Sequence, residues 1–236
     1  MRPYSQNPLQ NMTPVVKNLL IINVIFFIAE AMLPKMGVQM GWLAAYYPSS
    51  PLFRPWQIVT YMFMHADLSH LFSNMLGLLF IGPIIEQTFG TKRFLNYYFI
   101  TGIGALLFNY IVKAVQAYQL TGHFFPGPES FNPETQEQFL SFLEIIRGST
   151  VGASGAIFGL TAAILILYPN MELIVFPVPM PVKVKYAVSL YILYELYSTI
   201  RPQQGDMIAH LVHLGGALVG YILIKIWNIK TPNNFY

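Results

Sequence analysis

Six apolar runs organise this chain, at about 16–34, 68–88, 94–117, 154–168, 183–200 and 207–228. A bilayer core about 30 Å thick is crossed by about 20 helical residues. Backbone in lipid must satisfy its own polar groups, so a chain of this pattern crosses as helices. Only 10% of its residues are charged and 55% are hydrophobic, against roughly 25% charged in soluble domains. The expected class is an all-α integral membrane protein, multi-pass, with six transmembrane helices. One membrane domain over 15–228 accounts for the length, with short tails at 1–14 and 229–236. The residues from Met1 to Pro14 are polar and show no cleavage-site pattern, which reads as a tail and not a removable signal peptide.

Composition also excludes. There is no cysteine, which removes disulfides, thiolate metal sites and a cysteine nucleophile. The net charge of +3 comes with no basic run, so nothing points to nucleic acid. Lys and Arg in the connections set orientation. Arg2, Lys17, Lys92, Arg93, Lys183, Lys185, Lys225 and Lys230 fall on one side; Lys35, Arg54, Arg147 and Arg201 fall on the other. That bias puts both termini in the cytosol and the 35–67 and 118–149 connections outside. The first connection is semi-apolar (Trp42, Tyr46, Tyr47, Phe53, Trp56), which suits the membrane interface. The second is polar and acidic (Glu129, Glu134, Glu137, Glu144).

The fourth run is short. From Ser154 to Tyr168 it has 15 residues before Pro169, or roughly 22 Å of helix. Ser154 then starts several ångströms below the outer surface, at the foot of the Gly148-Ser149-Thr150-Val151-Gly152 approach. Backbone at that depth must line a watery cavity or be covered by protein.

Polar residues inside a membrane are costly and mark function. Ser154 follows Gly152-Ala153. His213 opens the series His213, Gly216, Gly220 on one face of the sixth run, and Gly155, Gly159 and Ala163 form a matching stripe on the fourth. Small-residue stripes let helices approach closely in lipid. A serine hydroxyl needs a base to become a nucleophile, and close approach supplies one: Ser154 as nucleophile, His213 as general base and then acid. The Ser154 backbone N–H at a helix start can hold the oxyanion. His70 and Asn74, four apart on the second run, share a face at the same depth. His210 is the rival base, one turn before His213. Asp206 is roughly 10 Å from His213 along a helix, too far for a direct hydrogen bond, so a dyad is expected. Glu195, amid Tyr191, Tyr194 and Tyr197, reads as a buried hydrogen-bonded carboxyl, with a gating or substrate role as the alternative. His65 reads as a structural or water-orienting residue and His123 as a loop residue. No His-Glu-x-x-His motif or nearby carboxylate spacing supports a metal site, and no cofactor is expected.

These residues carry a resemblance. Gly-x-Ser-Gly on the fourth span, His-x-x-Gly-x-x-x-Gly on the sixth and His-x-x-x-Asn on the second occur in that order, and the chain resembles the rhomboid intramembrane serine proteases over about 15–228. The resemblance implies a six-helix bundle with a short central fourth helix carrying the serine. It implies the Ser154–His213 dyad, His70 and Asn74 assisting the oxyanion with Gly152 beside them, and Phe158 stacking on the histidine. Glu86-x-x-x-Gly90 also matches. The family's Trp-Arg is replaced by Trp56-Gln57, with Arg54 two residues earlier, and no family role passes to Arg54. The implied activity is cleavage of transmembrane protein substrates near the outer face of a lipid bilayer, in a bacterial cytoplasmic membrane. Such substrates would be type I-like, with helix-destabilising residues near the cut, since a helix hides its carbonyls and Gly or Pro eases unwinding. The rival class is a catalytically silent rhomboid-fold protein that binds membrane clients. A small transporter is less compatible, because no repeat symmetry is present.

Overall fold

A computed structural model describes residues 12–33, 41–127, 129, 131–174, 180–200 and 207–229. Arg2, Lys35, Arg201, Asp206 and Lys230 lie outside the described residues. Among the described residues eight α-helices follow in chain order: α1 (Pro14–Met32), α2 (Gln57–Thr60), α3 (Leu68–Phe89), α4 (Thr91–Thr121), α5 (Gln136–Arg147), α6 (Ser154–Leu167), α7 (Val184–Ile200) and α8 (Met207–Ile226). The six apolar runs are α1, α3, α4, α6, α7 and α8. Four of them, α1, α3, α4 and most of α8, are long and apolar enough to cross a membrane. The protein is an all-α integral membrane bundle.

The centre of the bundle is α6. Only Leu165 and Ile166 of its 14 residues escape full burial, as expected of a helix that is apolar all round. Its main neighbours are α8 and α4, which also pack on each other. The glycine stripes explain how closely. A Cβ on Gly216 would strike the carbonyl oxygen of Gly155, and one on Gly220 would sit 2.9 Å from the Gly159 Cα. Helix α4 completes the three-helix contact with small residues that the sequence reading did not single out. Ala105 faces Gly155, Thr101 faces Gly159, and the Tyr97 hydroxyl donates to the Gly159 carbonyl at 2.8 Å. In contrast, α1 and α7 keep most side chains exposed, the arrangement of helices that face lipid.

Glu86 shows why one acidic residue is tolerated in α3. Its buried carboxylate accepts from Thr13 Oγ1 at 2.5 Å and from the backbone N–H groups of Val15 and Val16 at 3.2 and 3.0 Å. Those are unpaired donors at the start of α1, where a negative charge also complements the helix dipole. Glu86→Ala is therefore expected to lower stability by about 2–4 kcal/mol, since it leaves buried donors unsatisfied. Unfolding in detergent would check this; a loss under about 1 kcal/mol would contradict it.

Two connections hold structure that hydropathy does not reveal. Within the acidic connection, α5 forms because Phe142, Ile145 and Ile146 share one face and bury. Thr135 Oγ1 caps its first turn by accepting from the Gln138 N–H at 3.2 Å. Between α6 and α7, β1 (Glu172–Ile174) pairs antiparallel with β2 (Pro181–Lys183), placing Glu172 opposite Lys183. The 41–63 connection folds around Gln57, which is fully buried. Its amide donates to Trp42 O and Leu52 O, each at 3.0 Å, and accepts from Arg54 N at 3.0 Å and Tyr46 N at 3.4 Å. The residue that breaks the Trp-Arg pattern is thus the hub of the loop. Arg54 stays exposed and bonds local carbonyls.

Candidate active site

The polar residues singled out in the sequence gather at one end of the bundle. The segment 148–153 reaches it by a pinned route. Thr150 and Ala45 exchange both backbone hydrogen bonds, at 2.8 and 2.9 Å, and Gly152 N–H donates to Tyr61 O at 2.9 Å. Lys113 Nζ donates to the Gly148 carbonyl at 3.2 Å, and Asn109 donates to Thr150 Oγ1 at 3.3 Å. Gly152 then turns with φ +122°, a backbone state that side chains resist. Ala153 occupies the N-cap of α6 with no side chain to cap it. The first N–H groups of α6, beginning at Ser154, therefore have no side-chain acceptor from that position, at the positive end of the helix dipole. Ser154 itself is 9% exposed.

His70 and Asn74 close in on Gly152 from α3. A Cβ on Gly152 would lie 2.8 Å from His70 Nε2 and 3.6 Å from Asn74 Nδ2. Asp67 caps α3 by accepting from His70 N–H at 2.9 Å. His70 Nδ1 in turn accepts from Ala66 N–H at 3.5 Å. A neutral imidazole accepting at Nδ1 carries its proton at Nε2, which is the nitrogen beside Gly152. The Asn74 amide nitrogen is buried with no acceptor. Two donors with open hydrogens thus converge beside the residues that precede Ser154. His65 stands against His70, with ring centroids 5.1 Å apart. Burial pushes His65 down to about 4, so it is neutral near pH 7.

His213 meets α6 through its ring. Phe158, one turn after Ser154, stacks on it at 4.3 Å and 6°. Gly216, one turn after His213, rests on the backbone of Gly155. Both residues flanking the Ser154 turn are therefore in contact with the His213 turn.

A partner for His213 comes from α7. Glu195 Oε2 lies 3.1 Å from His213 Nδ1 and 2.7 Å from His210 Nδ1. Hydropathy marked Glu195 as a buried hydrogen-bonded carboxyl, but a pairing between two helices leaves no local spacing to read. Val184, Val188 and Glu195 are the buried residues of α7, and their spacing of four and seven fits one helical face. The sequence shows no carboxylate at zinc-ligand spacing beside these histidines, yet the fold brings Glu195 to them from another helix. The three ligand-type atoms lie within 4.8 Å of one another, and the two distances to Oε2 are hydrogen-bond lengths. With Glu195 ionised and the imidazoles neutral, both histidines donate from Nδ1, and the Nε2 of His213 keeps its lone pair.

The end of the bundle thus offers a hydroxyl at a helix start, an imidazole with a defined acceptor nitrogen, and converging donors. The Rhomboid domain family model matches residues 53–228. The chain belongs to the rhomboid family. Rhomboid protease AarA of Providencia stuartii is 32% identical over 181 residues, covering 75% of this chain and 57% of that protein. RHOMBOID-like protein 1 of Arabidopsis thaliana is 27% identical over 188 residues, covering 77% of this chain and 36% of that protein. Rhomboid protease GlpG of Klebsiella pneumoniae is 30% identical over 125 residues, covering 53% and 42%. This rhomboid chain spans between about a quarter and three-fifths of the length of the curated relatives it matches.

Proposed function

We propose that this rhomboid-family protein is an intramembrane serine endopeptidase that cuts other membrane proteins in or next to a transmembrane segment. The single observation that carries the reading is the docking of the His213 turn on the Ser154 turn, through Phe158 on one side and the Gly155–Gly216 contact on the other. Two of the relatives are named as proteases, which agrees with it.

In this reading Ser154 Oγ attacks the carbonyl carbon of the scissile bond, and its proton passes to His213 Nε2. The carbonyl oxygen becomes an oxyanion held by the N–H groups at the start of α6 and by His70 Nε2 and Asn74 Nδ2. The C–N bond breaks as His213 returns the proton to the leaving amine. Water then enters and attacks the acyl carbon as it gives a proton to His213, and the bond to Ser154 Oγ breaks as His213 returns that proton to the serine oxygen. Phe158 fixes the imidazole plane, and Gly152 leaves room for the two donors. The glycines at 155, 159, 216 and 220 hold the helices close enough for this chemistry. No metal or cofactor takes part.

Substrates are transmembrane segments whose helix unwinds easily, cut near the outer face. The domain over 15–228 sits in a bacterial cytoplasmic membrane with both short tails in the cytosol, as the Lys and Arg distribution favours.

The test is cleavage of a fluorescent transmembrane substrate by the purified chain in liposomes. Ser154→Ala and His213→Ala are each expected to lose at least roughly 10³-fold in kcat, as removal of a triad member does. Activity that survives Ser154→Ala would overturn the serine mechanism. A wild-type chain that neither cleaves nor reacts with a serine-directed probe would favour the client-binding alternative.

A further inference from the structure

We propose that Glu195 is a positioning residue for catalysis: from α7 it orients His213 as the base and makes that orientation depend on α7 being docked. This rests on the Ser154–His213 reading above.

The first observation is geometric. Glu195 is 2% exposed, and one of its oxygens, Oε2, meets Nδ1 of both His213 and His210. A free imidazole chooses between two tautomers, and only the one with the proton on Nδ1 leaves Nε2 able to take the serine proton. A carboxylate facing Nδ1 selects that tautomer and stabilises the imidazolium that forms during attack. His210 shares the oxygen and holds the carboxylate from its other side, so the acid is fixed by two donors.

The second observation is where the acid comes from. Helix α7 turns most of its surface outward. Leu190, Leu193, Tyr194, Tyr197 and Ile200 are exposed. Among the described residues of α7, Val184 and Val188 are buried near its start, and Glu195 is buried near its other end. Its ring contacts near the site are Tyr191 on Phe158, at 5.1 Å, and Tyr194 edge-on to His210, at 6.2 Å. In the half of α7 beside the serine, the one buried side chain among the described residues is thus the carboxylate that orients the base. A substrate helix that parts α7 from α8 to enter would withdraw Glu195 from His213. The base would regain its orientation when α7 returns. Chemistry would then follow re-docking and not entry alone.

The experiment compares wild type with Glu195→Gln and His210→Ala in liposomes, reading kcat and KM for a transmembrane substrate and thermal stability in detergent. Glu195→Gln keeps size and hydrogen bonding but not the charge, and its amide can donate to Nδ1 and select the wrong tautomer. Its kcat is expected to fall roughly 100-fold or more, with KM within about threefold, as for loss of the acid in a triad. His210→Ala, which removes one of the two donors that fix the carboxylate, is expected to lower kcat by less than Glu195→Gln does, because Oε2 still faces His213 Nδ1. If Glu195→Gln does not fold, Glu195→Asp, which draws the oxygen back by one methylene, is expected to show the same fall in kcat at steady KM. A kcat within threefold of wild type in the folded Glu195 variant would overturn the proposal. So would a loss confined to stability or KM. Wild-type protein that does not cleave would overturn the underlying reading instead, and the two failures are distinguished by the wild-type arm.

Discussion

Gly152→Ala is expected to abolish measurable cleavage while leaving the bundle folded. Two effects act at one atom. Gly152 has φ +122°, where a side chain costs of order 1–3 kcal/mol. The new Cβ would also stand 2.8 Å from His70 Nε2 and 3.6 Å from Asn74 Nδ2, the two donors assigned to the oxyanion. Either the loop shifts or the imidazole does, and both move donors away from the reacting oxygen. Loss of one such donor costs roughly 10²–10³ in kcat. Displacement of the loop threatens two donors and the start of α6 together, so the fall is expected to exceed about 10³-fold. Asn74→Ala, which removes one donor and no backbone, is expected to fall near 10²-fold. Steady-state cleavage of a transmembrane substrate would measure both. A Gly152→Ala rate within tenfold of wild type would show that the loop does not set the donors.

Gly216→Val should have the largest effect on stability. Gly216 faces the carbonyl of Gly155 without an intervening side chain, and backbone cannot yield as a flexible side chain does. A branched residue there forces α8 away from α6, losing packing along the Gly159–Gly220 contact as well. In a membrane, association depends on packing and not on water expulsion, so that separation has no hydrophobic compensation. The expected loss is about 3 kcal/mol or more, with activity lost in parallel because His213 rides on the same helix. Gly41→Ala is the matched control: its Cβ would meet nothing within 4 Å, and no change beyond about 0.5 kcal/mol is expected. Equal stability of the two variants in detergent unfolding would contradict the close-packed account of α6 and α8.

Much of this architecture can be read from the chain because lipid simplifies the rules. A helix that crosses lipid must be apolar over most of its length, so the six runs fall on six helices within a few residues. The span expected at 94–117 becomes α4 at Thr91–Thr121 because the helix runs on past its apolar stretch at both ends, from the Gly90 N-cap to Gly122, which ends it in the left-handed region. The candidate site residues are visible because Ser154, His70, Asn74 and His213 are polar where polarity is costly, and the glycines beside them advertise close packing.

Other features hide for physical reasons. Glu195 and its histidines lie on separate helices, 15 and 18 residues apart, and helix periodicity says nothing of contacts between helices. The Gln57 hub uses loop carbonyls, which have no side-chain signature. The amphipathic α5 is short and charged, and its apolar face is covered only once the fold supplies a partner. Glu86 reads as a span-end motif in the sequence, whereas the fold makes it the cap of α1, a helix about 70 residues away.

The most direct measurement is the site and rate of reaction of a small fluorophosphonate, followed by mass spectrometry on the intact protein and its peptides. The account predicts one adduct, on Ser154, formed at least roughly 10³-fold more slowly in His213→Ala. An adduct elsewhere, or labelling of Ser154 that ignores the loss of His213, would contradict it.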